Sequence, residues 1–372
     1  MERLHYVDAL RVFCMLFGIF VHTTTLGDFG VLEGFSYASR YFRMAAFFVV
    51  SAYLAGLFIE RFGVSVFLSR RSLALLVPFF SGCMLLNPIA IWLVFRHHGN
   101  GDDVGLLGAN WQTFTAPDAV QGPGVWHLHL WFLVTLYFYV LAAIPLLRIL
   151  QGRAAGSWMD SWEPRVPAAL HPVLLTAAMV FIAVILHQAV DQIPNLPLLW
   201  RLEDNWIFVA TLRYFPFFLL GLICFSRPVL WESCHRLSPL LIGGMFISFA
   251  LKYYGLSDPY LYDSLLDTAL NTVITCTFIF ALLWVFRTFA AKKNSIGTLF
   301  SKSIYTIYFF HYLLIYAVSS FVFPDAGMTW LIFFAISFST IAIGLLLHLF
   351  LVEKIWLLRF LFNGRLPNTN LR

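Results

Sequence analysis

Residues 127–147 read His127-Leu-His129-Leu-Trp131-Phe-Leu-Val-Thr-Leu-Tyr-Phe-Tyr-Val-Leu-Ala-Ala-Ile-Pro-Leu-Leu147, and Arg148 follows. No Asp, Glu, Lys or Arg interrupts the run, which has the length of the ~20 mostly apolar residues a helix needs to cross a bilayer core. Nine further stretches read the same way: 10–26, 41–59, 72–95, 172–189, 206–225, 237–254, 264–286, 303–323 and 330–352. Across all 372 residues, 60% are hydrophobic and 12% are charged, against about 25% charged in soluble domains. With 40 Phe, 15 Tyr and 12 Trp, the chain carries more apolar bulk than one aqueous surface hides. A soluble enzyme, a disordered tail and a disulfide scaffold are excluded. The expected fold is all-α: a polytopic integral membrane protein of about ten transmembrane helices, forming a single domain over residues 1–372.

Charge then orients the spans. Of the 24 Lys and Arg residues, 18 fall at the two ends of the chain and in the even-numbered connections, while Asp and Glu lean to the other side. The positive-inside rule places both termini in the cytoplasm and accounts for the net charge of +5 without a nucleic-acid partner. Arg11 and His22 interrupt the first apolar stretch, which reads as a membrane helix and not as a cleaved signal. Cys14, Cys83, Cys224, Cys234 and Cys276 have neither paired nor metal-ligand spacing. Pro78, Asn87 and Pro88 predict a tilt or kink in the long third span. The outer connection 96–126 carries Gly99, Gly101, Gly105, Gly108, Gly122 and Gly124, as a loop that folds back or approaches a ligand requires. In the inner connection 148–171, Trp158 and Trp162 stand four apart, which predicts a short helix at the membrane interface.

Ionisable residues inside spans are expensive and often functional. Arg11 and His22 lie ~16 Å apart along the first helix at 1.5 Å per residue, so His22 sits beyond the midplane. His311 in the ninth span lies at a similar depth. Arg43 and Ser51 mark the second span, where Ser51 and the small Ala52 also suit close helix contact. Trp126-His127-Leu128-His129-Leu130-Trp131 opens the fourth span. Residues two apart do not share a helix face, so at most one of His127 and His129 is expected in a common site. Arg213 precedes Pro216 in the sixth span. Tyr305, Tyr308 and Tyr312 form one helical stripe, best read as packing. Asp8 is expected to pair with Arg11. No residue calls for a metal.

In sum, these motifs resemble the membrane-bound acyltransferase-3 family, and within it the osmoregulated periplasmic glucan succinyltransferases. Tyr6-Val7-Asp8-Ala9-Leu10-Arg11 with His22 is similar to the family's first-helix pattern of Arg, ten residues and His. Phe47-Phe48-Val49-Val50-Ser51-Ala52 is similar to its Phe-Phe-x-x-Ser-Gly, with Ala52 in place of Gly. His129-Leu130-Trp131-Phe132-Leu133, Phe215-Pro216-Phe217-Phe218 with Gly221, and Ser303-Ile304-Tyr305 with His311 resemble later blocks of the glucan subgroup. Where the family often shows Arg-x-x-Arg, this chain has Arg70-Arg71 followed by Leu73 and Ala74.

The resemblance implies an O-succinyltransferase of the bacterial inner membrane. Its donor is cytoplasmic succinyl-CoA, a co-substrate and not a bound cofactor, and its acceptor is a hydroxyl of periplasmic β-glucan. In that reading His22 is the general base, with Ser51, His311 or a tyrosine of the ninth span as donor to the oxyanion. A relay in which His22 first carries the acyl group is the other route. Arg70, Arg71 and Arg11 take the coenzyme head, and Arg43 the far carboxylate of succinate. Trp126, Trp131, His129, Arg213 and Tyr308 contribute to substrate binding. The rival class is a transporter or flippase for an anionic solute or acyl-carrying lipid, which discontinuous helices in two related halves would favour; no internal repeat is visible.

Overall fold

The computed structural model describes residues 4–99, 104–115, 126–191, 206–255, 264–324, 327 and 329–366. The described residues are 87% helical, with no strand among them. Nine helical stretches there are long and apolar enough to cross a membrane. The seventh expected span is a shorter apolar helix, Pro239–Tyr254. In chain order the main helices are α1 His5–Thr23, α2 Arg43–Phe62, α3 Val64–Ser81, α4 Asn87–His97, α5 Leu106–Thr115, α6 Trp131–Leu150 and α7 Arg153–Trp162. They continue with α8 His171–Asp191, α9 Trp206–Ser226, α10 Pro239–Gly255, α11 Leu265–Phe289, α12 Ser295–Val322, α13 Trp330–Leu347 and α14 Trp356–Asn363. The architecture is that of a multi-pass membrane protein.

The chain forms two compact units, each discontinuous in sequence. The first comprises Met1–Arg11, Tyr41–Leu68 and Phe138–Lys293; the second comprises Val12–Arg40, Ser69–Tyr137 and Asn294–Arg372.

In the first unit, α2 packs on α9. Lipid is as apolar as a leucine side chain, so such helices associate through close packing and hydrogen bonds. Gly221 makes that approach possible: a methyl group there would lie 2.7 Å from the Ala52 Cβ and 2.9 Å from the Val49 carbonyl carbon. Thus the second span tolerates Ala52 because the small residue at this crossing is Gly221. Tyr139 stacks on Phe218 at 4.5 Å, and its hydroxyl donates to the Thr211 carbonyl at 2.6 Å. Lys252 of α10 pairs with Asp267 of α11 and donates to Asn271 at 2.8 Å, so an ion pair joins these helices at their adjoining ends. The expected short helix with Trp158 and Trp162 forms as α7. Arg227 ties it down, pairing with Asp160 and donating to the Gly156 carbonyl at 3.0 Å.

The second unit is built around α12, which packs on α13 and α4. Ile19, Ile91, Val94, Ile307, Ile315, Phe333 and Ile336 are among its fully buried core side chains. The expected irregularity of the third span is a π-helical turn, Gly82–Leu86, between α3 and α4. Pro88 has no N–H for a regular helical bond, and the Asn87 N–H reaches back five residues to the Gly82 carbonyl. The described part of the connection 96–126 is not all loop. It contains α5, fixed to the third span by Asn110, whose amide donates to the Pro88 carbonyl at 3.0 Å. Of the glycines named there, Gly101, Gly122 and Gly124 lie outside the described residues. At the far end of the chain, α14 docks on α12: Phe362 meets Phe309 at 5.4 Å and Phe310 at 4.9 Å. Gly364 follows with φ +60° against the backbone of Leu73 and Ala74, where a methyl group would sit 2.5 Å from the Ala74 Cα. The absence of a side chain at Gly364 therefore lets the returning chain lie against this backbone.

Candidate active site

Three histidines from distant parts of the sequence meet in the second unit. The rings of His22 and His311 lie 5.1 Å apart, and those of His129 and His311 4.6 Å apart. His22 comes from the end of α1, His311 from the middle of α12, and His129 from the turn that opens α6. The equal depth expected for His22 and His311 from the helix rise is met by direct proximity. His311 is fully buried and His129 is 5% exposed, whereas His22 is half-buried.

Tyrosines of α12 complete the cluster. Tyr308 meets the His311 ring at 4.8 Å, and its hydroxyl donates to the His129 carbonyl at 3.0 Å. Tyr312 stacks on His129 at 5.4 Å with the planes 11° apart, and stands edge-on to His22 at 5.3 Å. The tyrosine stripe that the spacing predicts divides. Tyr305 packs, donating to the Ala74 carbonyl at 2.8 Å, while Tyr308 and Tyr312 line the histidines. The Nδ1–H of His311 donates to the Tyr308 carbonyl within its own helix turn. In the neutral ring this leaves Nε2 as an acceptor.

The entry to α6 explains why His129, and not His127, takes part. Leu128–Leu130 form a single 3-10 turn, and Leu128 has φ 45°, which is costly for a residue with a side chain. His127 turns its ring toward Trp126 at 5.2 Å.

One helical turn outward from Tyr312, a second polar group escaped the sequence reading. The Tyr316 hydroxyl shares a hydrogen bond with Thr25 Oγ1 at 2.9 Å and lies 3.4 Å from His98 Nε2. Thr25 also donates to the His22 carbonyl at 2.7 Å, and His97 Nε2 donates to the Leu26 carbonyl at 2.7 Å. These bonds pin the last turn of the segment that carries His22. Burial and the neighbouring His97 hold the His98 imidazole below its ordinary pKa. The signal available in sequence was the four-residue spacing of Tyr308, Tyr312 and Tyr316; Thr25, His97 and His98 gave none.

The remaining candidates are placed as follows. Trp126 is 37% exposed, and its carbonyl accepts from Asn87 at 2.8 Å. Trp131, the first residue of α6, is buried, 8% exposed. Arg70 and Arg71 are half-buried on α3, and the Arg71 charge acts on Tyr305. Arg11, Arg43, Ser51 and Arg213 belong to the first unit. There Arg11 pairs with Asp8 at 3.9 Å, as the spacing predicts. Arg43 is the first residue of α2, Ser51 is half-buried and Arg213 is exposed. Among the described residues, no group of three His, Cys, Asp or Glu side chains is arranged to hold a metal ion.

A family model described as an acyltransferase domain, the third of that name, matches residues 4–349. The chain is 25% identical to the glucans biosynthesis protein C of Salmonella paratyphi B, over 98% of this chain and 96% of that protein. The proteins of the same name from Salmonella enteritidis PT4 and Salmonella typhi are similar at the same identity and coverage. No solved structure matches. A multi-pass helical chain matched by the family model over nearly its whole length belongs to the acyltransferase-3 family.

Proposed function

We propose that this acyltransferase moves a succinyl group from cytoplasmic succinyl-CoA to a hydroxyl of periplasmic glucan, with His22 as general base. The observation that carries the reading is the cluster of His22, His129 and His311 in a membrane acyltransferase similar to proteins named for glucan biosynthesis. The positive-inside bias supports cytoplasmic termini in the bacterial inner membrane. That orientation puts Arg70 and Arg71 on the side where the coenzyme arrives, where guanidinium groups suit its phosphates.

In the reaction, His22 removes the proton of a glucan hydroxyl as the oxygen attacks the thioester carbonyl. The carbon–oxygen bond forms, the carbon–sulfur bond breaks, and the departing thiolate takes the proton from His22. The products are a succinyl ester and free coenzyme A. General-base assistance of this kind is worth about 10²–10⁴-fold. His311, its Nδ1–H already committed, stands beside His22 as a second acceptor. Tyr312 fixes the His22 ring edge-on.

The test uses purified protein in detergent with a short β-glucan and either succinyl-CoA or acetyl-CoA, following thiol release and glucan mass together. Thiol release with a succinyl-sized mass gain, lost in His22→Ala, is the expected result. An acetyl-sized gain alone would reassign the donor. A fully active His22→Ala protein would remove His22 as the base.

A further inference from the structure

From the geometry of the cluster we infer that His129 is the hydrogen-bond donor to the oxyanion that forms on the thioester carbonyl. The inference rests on the acyl-transfer reading above and adds to it the group that meets the developing charge.

Four observations carry it. His129 is 5% exposed, and neither ring nitrogen makes a hydrogen bond of good geometry, the Phe309 carbonyl being its weak backbone partner. A buried imidazole left in that state is unfavourable unless a ligand supplies the partner. Second, its ring is held from two directions, stacked on Tyr312 and edge-on to His311 at 4.6 Å. Third, its backbone is clamped by the Tyr308 hydroxyl. Fourth, it follows Leu128, which among the described residues is the one non-glycine position with positive φ. Strained backbone kept in place by surrounding contacts gathers at sites where a group must be aimed in advance.

Elimination points the same way. The Nδ1–H of His311 is spent on the Tyr308 carbonyl, and the Tyr308 hydroxyl on the His129 carbonyl. The Tyr312 hydroxyl also completes no hydrogen bond, with Tyr316 and Thr25 as its electrostatic neighbours. His22 is occupied with the proton of the acceptor. The N–H of His129 is thus one of two donors in the cluster without a completed bond, and the one whose ring is held from two sides. As the hydroxyl oxygen bonds to the carbonyl carbon, the carbonyl π electrons move to its oxygen, and His129 meets that charge. When the carbon–sulfur bond breaks the charge returns, so His129 gains and loses no proton.

The experiment compares His129→Phe, which keeps a flat ring without a donor, with His129→Gln, which keeps an N–H, and with His129→Gly given external imidazole. Thermal midpoints in detergent monitor folding. Removing an oxyanion donor lowers kcat by about 10²–10³-fold. His129→Phe is therefore expected to lose this much in kcat with KM nearly unchanged, His129→Gln to retain more, and imidazole to restore part of the rate to His129→Gly. A His129→Phe protein with near-parental kcat overturns the inference. So does a Gln variant no better than Phe together with no imidazole rescue, which would mean that His129 only packs. These results leave the transfer reading standing; parental protein that releases no thiol and acylates no glucan overturns both.

Discussion

Replacing Gly221 by Ala tests whether the α2–α9 crossing is as tight as it looks, and the structure fixes the sign. The added methyl would sit 2.7 Å from the Ala52 Cβ, 2.9 Å from the Val49 carbonyl carbon and closer still to its oxygen. Carbon atoms rest at about 3.5–4.0 Å, so the helices would have to part by about 1 Å. The obstructing atoms are backbone and a Cβ, and Val49, Ala52, Leu220 and Leu222 are all at most 1% exposed. Overpacking of this kind costs about 1–3 kcal/mol. Against it stands a gain of about 1 kcal/mol for removing a glycine from a helix interior. The net expectation is a loss of up to roughly 2 kcal/mol, or a midpoint lower by up to about 8 °C at the usual 2–4 °C per kcal/mol. Gly243→Ala on α10 is the control: nothing lies within 4 Å of its new methyl. Only the propensity gain acts there, so its midpoint should hold or rise. Both variants are melted in the same detergent, following tryptophan fluorescence. A Gly221→Ala midpoint equal to or above that of Gly243→Ala would refute the reasoning.

Three further outcomes are expected. Burial above all holds the His235 imidazole down to about 4, so the native state binds fewer protons than the unfolded chain. Its contribution is complete above the ordinary value near 6.5 and is lost as pH falls toward 4; melts from pH 7 to 4 should decline less steeply in His235→Phe than in the parent. Tyr316→Phe removes the hydroxyl between Thr25 and His98. At about 1 kcal/mol per lost hydrogen bond, transfer should slow roughly fivefold, whereas Tyr305→Phe, which loses a bond to Ala74, should affect the melting midpoint and spare kcat. Lys252→Met leaves Asp267 without its cation inside the bundle and should destabilise by about 3–5 kcal/mol, with Lys252→Met/Asp267→Leu recovering most of the loss; a double variant as unstable as the single would contradict this.

Much of the molecule is written in local sequence. In lipid, every backbone N–H and C=O must be satisfied within its own segment. A run such as 172–189 therefore has to be a helix, and its observed bounds, His171–Val190, differ by one residue at each end. The π turn near Pro88, the α7 helix, the Asp8–Arg11 pair and the common depth of His22 and His311 follow from proline chemistry, periodicity and helix rise. Each depends on neighbours within one segment.

Tertiary structure decided which side chains meet. The choice of His129 over His127 depends on a 3-10 turn with Leu128 at φ 45°, which no periodicity announces. Tyr312 faces His22 and His129 while Tyr305 faces Ala74, because α12 is rotated by its packing against α4 and α13. Thr25 meets Tyr316 across 291 residues of chain. The apolar pattern determines that a helix crosses the membrane, since lipid enforces that segment by segment. The rotation of each helix about its axis is set by close packing with partners far away in sequence, and that rotation decides which polar groups share a site.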